Sequence, residues 1–273
     1  MSILCVIPVR GGSKGVPGKN ARVVAGKPLV VWSIEQALAA SLDVLVSTDD
    51  PELAAIARAA GADVPFLRPA ELAQDTTPTE PVILHAIRHR AAEGRRPDAV
   101  MLLQATSPVR LPGTLARAVH EFAETGVDSL VGVVPQTPFF WHPALDGGSA
   151  TAEYDPAARP RRQDLRAEDY FYKETGSLYL SRTELYERED NRIGGRVGLF
   201  VMDEAEGVDI DTLVDLRIAE QVLGDLAAAV GAGSGEKPDP ARDARSEAVS
   251  HAGRGFSRGT AEPVPTGRTG ERS

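Results

Sequence analysis

The sequence predicts an α/β protein built on a mostly parallel sheet with helices on both faces. Three observations carry this expectation. Short apolar runs alternate with amphipathic segments of helical period from residue 3 to about Leu130. A loop dense in glycine and cationic residues follows the first apolar run. Hydrophobic residues make up 42% of a 273-residue chain, enough to fill the core of one domain, or of one domain with an excursion.

The first strand is the apolar run at 3–7, and it runs into the loop Arg10-Gly11-Gly12-Ser13-Lys14-Gly15-Val16-Pro17-Gly18-Lys19-Asn20. A helix is expected over 28–40, a strand over 44–47, and a helix over 51–60 with Asp49 or Asp50 as cap and Gly61 as stop. A short strand at 64–67 leads to a polar loop over 68–79, followed by a helix over 81–92. The run at 99–103 reads as a buried strand ending at Gln104-Ala105-Thr106-Ser107-Pro108. A helix over 112–124 and a strand over 129–134 complete the rhythm.

The pattern breaks at Pro135. Residues 135–173 are rich in Pro, Arg, Asp and aromatics without a helical period. A passage this long in a compact protein reads as a lid, or as an arm that packs on a partner subunit. Strands at 177–180 and 197–202 and a helix over 213–226 then resume the α/β pattern. Residues 231–273 hold almost no large apolar side chains, so a disordered tail is expected after a domain spanning 1–230. No internal repeat is present.

A net charge of −9 and a pI near 5.2 speak against a nucleic-acid or membrane-surface partner. The single cysteine, Cys5, lies in the apolar first strand and reads as a small core residue. It excludes an internal disulfide and suits a reducing compartment. No apolar run reaches the length of a membrane span, and the start of the chain lacks a signal-peptide charge pattern. The expectation is a cytoplasmic protein.

The first loop carries the sharpest chemistry. Glycines let backbone N–H groups approach a polyanion, and Arg10, Lys14 and Lys19 supply positive charge. At the end of a first strand this is the chemistry of a triphosphate cradle. A Walker loop ending on Gly18-Lys19 would need Gly at Ser13 and Ser or Thr at Asn20. A dinucleotide fingerprint fails because Gly11-Gly12-Ser13 breaks its first spacing. Lys14 reads equally well as a phosphate contact or a solvated loop charge.

Asp209 and Asp211 are the second chemical feature. Alternate residues of an extended segment point the same way, so both carboxylates can face one site. Two carboxylates plus phosphate oxygens suit Mg²⁺, which keeps its waters and needs few protein ligands. Alternatively, the pair ends a strand and Asp211 caps the following helix. His85 and His89 lie four apart in one expected helix and His120 in another, with no third ligand evident and no histidine suited to general-base work.

The stretch from Val6 to Asn20 resembles the signature of the CMP-sugar-acid synthetases, the acylneuraminate cytidylyltransferase family. Further blocks are similar to that family in the same order. They are Val46-Ser47-Thr48-Asp49-Asp50 with Ala54 and Ala57, and Leu67-Arg68-Pro69-Ala70-Glu71-Leu72-Ala73-Gln74-Asp75-Thr76. Leu102-Leu103-Gln104-Ala105-Thr106-Ser107-Pro108-Val109-Arg110, Glu174-Thr175-Gly176-Ser177-Leu178-Tyr179-Leu180 and Val208-Asp209-Ile210-Asp211-Thr212 follow, so that the blocks cover most of residues 3–222.

The resemblance implies a Rossmann-like, three-layer nucleotidyltransferase sheet of the GT-A-like kind, with a dimerisation arm at about 135–173. It implies Mg²⁺-dependent transfer of CMP from CTP to an acidic acceptor, a nonulosonic (sialic-type) acid, with release of pyrophosphate by a homodimer. Arg10 and Lys19 would contact the triphosphate, beside Gly11, Gly12 and Ser13. Asp209 and Asp211 would hold the metal. Asn20, Arg68, Thr77 and Thr79 would read the base, although Arg68 could instead brace the turn at 71–73. Thr77-Pro78-Thr79 departs from the usual pattern after Asp75-Thr76.

Gln104, Arg162, Gln163, Lys173 and Tyr179 would meet the acceptor, the Arg-Gln pair reaching in from the arm. Here the departures gather: Lys173 stands where many members carry Arg, and Thr175 where many carry Asn. Thr137-Pro138-Phe139-Phe140-Trp141-His142 replaces a segment that usually holds a lysine. The acceptor could therefore be Kdo, a legionaminic-type sugar or a small phosphonate such as phosphonoformate. A nucleotide-sugar glycosyltransferase of related fold is the alternative from another class, but its Asp-x-Asp motif would sit mid-chain. A non-catalytic nucleotide sensor would not need Arg10, Lys19, Asp209 and Asp211 together.

Overall fold

Strand β1 (Ile3–Pro8) forms the spine of the molecule, paired in parallel on both edges. The structure, a computed structural model, describes residues 1–12, 16–145 and 147–232. Ser13, Lys14 and the expected tail beyond Ala232 lie outside the described residues.

After β1 come a small ribbon, β2 (Val23–Val24) and β3 (Lys27–Pro28), helix α1 (Leu29–Ala39), strand β4 (Asp43–Ser47) and helix α2 (Pro51–Ala59). Helix α3 (Thr79–Ala92), strand β5 (Ala99–Leu102), helix α4 (Thr114–Thr125) and strand β6 (Ser129–Gln136) follow. The arm holds a ribbon of β7 (Trp141–His142) and β8 (Thr151–Ala152). The chain returns through β9 (Phe171–Arg182), helix α5 (Thr183–Glu189), β10 (Val197–Val201) and α6 (Leu213–Ala232). The six-stranded sheet runs β10-β6-β9-β5-β1-β4.

Alternation along each strand divides the core. Cys5, Ile7, Val44, Val46 and Met101 face one layer with residues of α1, α2 and α4. Leu4, Val6, Leu45, Val100 and Leu102 face the other, with Ile83 and Ile87 of α3 and Tyr186 of α5. Burial pushes the Cys5 thiol up to about 12, which keeps it protonated and inert. A third apolar cluster joins Val24, Trp32, Ile210 and Leu223, packing α6 beside the ribbon.

The α/β expectation holds, with three local differences, and the cap of α2 falls on one of its two candidates. Strand β9 is antiparallel to both β5 and β6 in an otherwise parallel sheet. Residues 64–67 form no strand: only an isolated bridge joins Leu45 to Asp63, because Pro65 has no N–H and Val64 gives its carbonyl to Arg58. Helix α5 was not expected. Asp50, not Asp49, caps α2, its Oδ1 accepting from the amides of Glu52 and Leu53.

The layout places one candidate crevice. Helix α1 carries the chain from β1 to β4 on one side, and α3 brings it back to β5 on the other. The strand order thus reverses at β1, and ligands of such sheets sit beyond the carboxyl ends at that point.

Candidate active site

A cleft of about 500 Å³ opens at the carboxyl ends of β1 and β5. Arg10, Lys19, Asn20, Arg68, Thr77, Thr79, Gln104, Asp209 and Asp211 all line it. Nine residues expected from different parts of the sequence therefore meet in one place. Gly11 and Gly12 lie beside the cleft in the first loop, and Ser13 lies outside the described residues.

The first loop is seated from below. A Cβ on Gly11 would overlap the Asp50 carboxylate that caps α2, so only glycine allows the loop to rest there. Gly18 has φ +63°, a left-handed conformation, and turns the chain into the short helix carrying Lys19. The Asn20 amide donates to the Arg10 carbonyl at 3.1 Å, closing the loop on itself. Arg10 itself pairs with Asp75 on the opposite wall.

The Asp209–Asp211 strap is fixed through its central residue. Ile210 is fully buried in the third apolar cluster, which stabilises the strap by about 1.5–3 kcal/mol. Its N–H donates to the Thr106 carbonyl at 2.8 Å. Its carbonyl accepts from the buried ammonium of Lys19. With Ile210 turned inward, the residues on either side turn toward the cleft. Lys19 has two further protons to offer an anion.

The helix after the strap does not need Asp211. Thr212 accepts from the Asp215 amide at 3.3 Å, and Asp215 accepts from the amides of Asp211 and Thr212. This reciprocal cap holds the Asp215 carboxyl below its usual range, first through the Thr212 hydroxyl. The Asp211 carboxylate is left without a hydrogen-bond partner among the described residues. Asp209 engages one oxygen, which accepts from Ser107 at 3.1 Å. Among the described residues no group of three His, Cys, Asp or Glu could hold a metal. Two carboxylates without a third suit a hard cation that keeps water and phosphate oxygens, not a caged one.

Arg68 has a structural task. Its guanidinium donates to the carbonyls of Val9 and Ser47, clamping the ends of β1 and β4. Burial lowers its pKa. It braces the strand ends, not the turn at 71–73. The polar loop over it is held by Leu72 N to Pro69 O at 2.9 Å and Thr77 N to Gln74 O at 3.2 Å. His85 and His89 stack edge-on against Phe66, 4.3 and 5.1 Å between centroids.

The acceptor-side residues divide. Gln104 lies in the cleft, its side chain crossing Gly176 of β9 so closely that a Cβ there would overlap Oε1. Tyr179 is buried on the α3 side of the sheet, donating to Glu174. Lys173 lines a separate cavity of about 330 Å³ with Phe140, Trp141, His142 and Phe171. Arg162 sits 6.0 Å from the Phe139 ring in the arm, and Gln163 beside it is exposed. Within one chain these last four do not reach the cleft.

Five contributors carry no role in the sequence reading. Gln74, Thr106 and Val82 also line the cleft. Ser107 binds Asp209, and its hydroxyl in the polar segment that follows β5 was the available signal. Buried Arg110 donates to Ser33, Gln36, and the carbonyls of Gln104 and Ser177, tying α1, β9 and the end of β5 together beneath the site. Burial brings its pKa down to about 10.

The chain matches the cytidylyltransferase family over residues 4–220. It is 38% identical over 224 residues to N-acylneuraminate cytidylyltransferase A of Danio rerio, covering 80% of this chain and 50% of that protein. It is 34% identical over 230 residues to the CMP-N,N'-diacetyllegionaminic acid synthase of Legionella pneumophila, covering 82% of this chain and 97% of that one. The chain thus spans about half the length of the Danio rerio relative and nearly all of the Legionella one. In fold it is similar to a CMP:2-keto-3-deoxy-manno-octonic acid synthetase solved with CTP, with a TM-score of 0.58 and 19% identity over 82% of this chain and 99% of that one. The chain belongs to the cytidylyltransferase family, in the branch of the acylneuraminate and legionaminic acid enzymes.

Proposed function

We propose that this protein transfers CMP from CTP to a nonulosonic (sialic-type) acid, releasing pyrophosphate in a Mg²⁺-dependent reaction. The observation that carries this reading is the single cleft joining Arg10, Lys19 and Asn20 to the carboxylates of Asp209 and Asp211. A cation-lined loop facing an acidic strap is what a nucleoside triphosphate with its metal requires.

In this reading the acceptor's anomeric hydroxyl attacks the α-phosphorus in line. The new O–P bond forms as the bond to pyrophosphate breaks, and the hydroxyl proton passes to solvent. Lys19 and Arg10 offset the charge that gathers on the departing pyrophosphate. Arg10 exchanges Asp75 for phosphate oxygens when CTP enters. Asn20, Arg68, Thr77 and Thr79 frame the base, where a close polar fit rejects bases that leave groups unpaired. Asp209 and Asp211 would hold Mg²⁺, which would neutralise phosphate charge and lower the pKa of the attacking hydroxyl.

Gln104 meets the acceptor from this chain. Arg162, Gln163 and Lys173 do so from the arm of a second copy, making the working unit a homodimer. This reading includes no nucleic-acid or membrane partner; the net charge of −9 is what speaks against both, and no described helix is long and apolar enough to cross a membrane. The buried thiol of Cys5 suits a reducing, cytoplasmic setting.

The test is pyrophosphate release from CTP and Mg²⁺ against N-acetylneuraminate, a legionaminic-type sugar, Kdo and phosphonoformate, with UTP, ATP and GTP as controls. Release with CTP and a nonulosonic acid is expected. Release only with Kdo or phosphonoformate would keep the chemistry and move the acceptor. Failure to bind CTP would overturn the reading.

A further inference from the structure

Ser107 stands where the acidic strap meets β9. Its side chain is 0% exposed, and its hydroxyl has one proton with two acceptors in reach. These are the Thr175 carbonyl at 3.0 Å and Oδ1 of Asp209 at 3.1 Å.

The backbone of the strap is fixed by Ile210, but that does not settle where the two carboxylates point. Asp211 has no hydrogen bond to its carboxylate among the described residues. Asp209 has one, from Ser107. The two members of the pair therefore differ: one carboxylate is held before any ligand arrives and the other is free to turn.

We propose that Ser107 is a positioning residue for the metal site: by donating to Oδ1 of Asp209 it leaves Oδ2 as the oxygen offered to a divalent cation carried on CTP. The inference rests on the metal-dependent reading given above. Ser107 also reaches Thr175, the neighbour of Gly176 on which Gln104 lies. One proton, shared between the Asp209 carboxylate and the Thr175 carbonyl, thus links the acidic strap to the strand that seats Gln104. Partners that orient a ligating carboxylate commonly set metal affinity about 10–100-fold.

The test is Mn²⁺ binding in the presence of CTP, followed by electron paramagnetic resonance on the full chain, for the wild type, Ser107→Ala and Ser107→Thr. Ser107→Ala should weaken Mn²⁺ about tenfold while CTP binding in EDTA stays unchanged. The apparent KM for Mg²⁺ should rise, with kcat recovering at saturating metal. Ser107→Thr keeps the donor and should restore most of the affinity. A purely structural serine would instead lower metal-free CTP affinity and thermal stability together, and that result would overturn the proposal. So would wild-type Mn²⁺ affinity in Ser107→Ala. If the wild type itself holds no Mn²⁺ with CTP, the metal reading falls first, and that outcome is visible in the wild-type arm alone.

Discussion

The nucleotide side of this molecule and its arm are built on opposite principles. In the cleft three of the functional groups are anchored to the core: Lys19 through the Ile210 carbonyl, Arg68 through the ends of β1 and β4, and Asp209 through Ser107. The arm packs mainly on itself. Phe139 and Trp141 meet Tyr154 edge-on at 5.3 and 6.0 Å, and Arg159 lies 4.1 Å over Phe139. Its rings stay open to solvent, Trp141 at 53% and Phe140 at 47% exposure. A site that must hold a polyanion tightly is preorganised within one chain. A surface this apolar and this open suits a covering partner, the part the proposed function gives to a second copy.

The largest effect expected from this contrast lies in the strap. The Asp211 side chain takes no part in capping α6, which Thr212 and Asp215 accomplish. Asp211→Ala should therefore leave the fold and metal-free CTP binding largely intact, yet cut turnover by about 10³-fold. Pyrophosphate release beside CTP binding in EDTA measures both. Full turnover would remove the metal from the strap, and loss of metal-free binding would show that Asp211 supports the cleft mechanically.

A smaller effect is expected where the two regions touch. Gly176 has φ +70° and carries the Gln104 side chain across it. Alanine there costs roughly 1–2 kcal/mol of backbone strain and also displaces Gln104. The KM for the acceptor should rise about tenfold, and that for CTP should change less than twofold. Equal rises would mean that β9 supports the nucleotide as much as the acceptor.

These same positions explain what could be read in advance. Alternation along short apolar runs announced the sheet, because a strand buried on both faces has few other sequences open to it. The cap at Asp50 was legible because a proline follows it at the first helical position. The antiparallel sense of β9 was not legible. Its first half, Phe171-Tyr172-Lys173-Glu174, is polar and aromatic and reads as arm. Helix α5 was missed because seven residues, most of them charged, carry too little period.

In the site the residue types were legible and their supports were not. Lys19 and Ile210 are 191 positions apart, and Ser107 and Asp209 are 102 apart. No local pattern encodes pairs so distant. The arm residues expected to meet the acceptor show the limit from the other side: Arg162, Gln163 and Lys173 share a segment yet do not line the cleft of Arg10 and Asp209 within one chain. What the sequence displayed was chemistry, and what it withheld was which body that chemistry faces.

The smallest effect is the one that tests this last point most directly. Trp141 lies on the rim of the arm cavity and touches Tyr154 edge-on. Its removal leaves every anchor of the nucleotide side in place, so Trp141→Ala should keep the KM for CTP unchanged. If a second copy covers the arm, the exposed indole contributes about 1–3 kcal/mol to that contact, as buried interface aromatics do. Sedimentation should then shift toward the monomer at low concentration, and the KM for the acceptor should rise a few-fold in step with it, because Arg162, Gln163 and Lys173 would be supplied less often. An unchanged sedimentation profile with a raised acceptor KM would place the arm over its own cleft. A change in CTP affinity of the same size would erase the division between the two regions altogether.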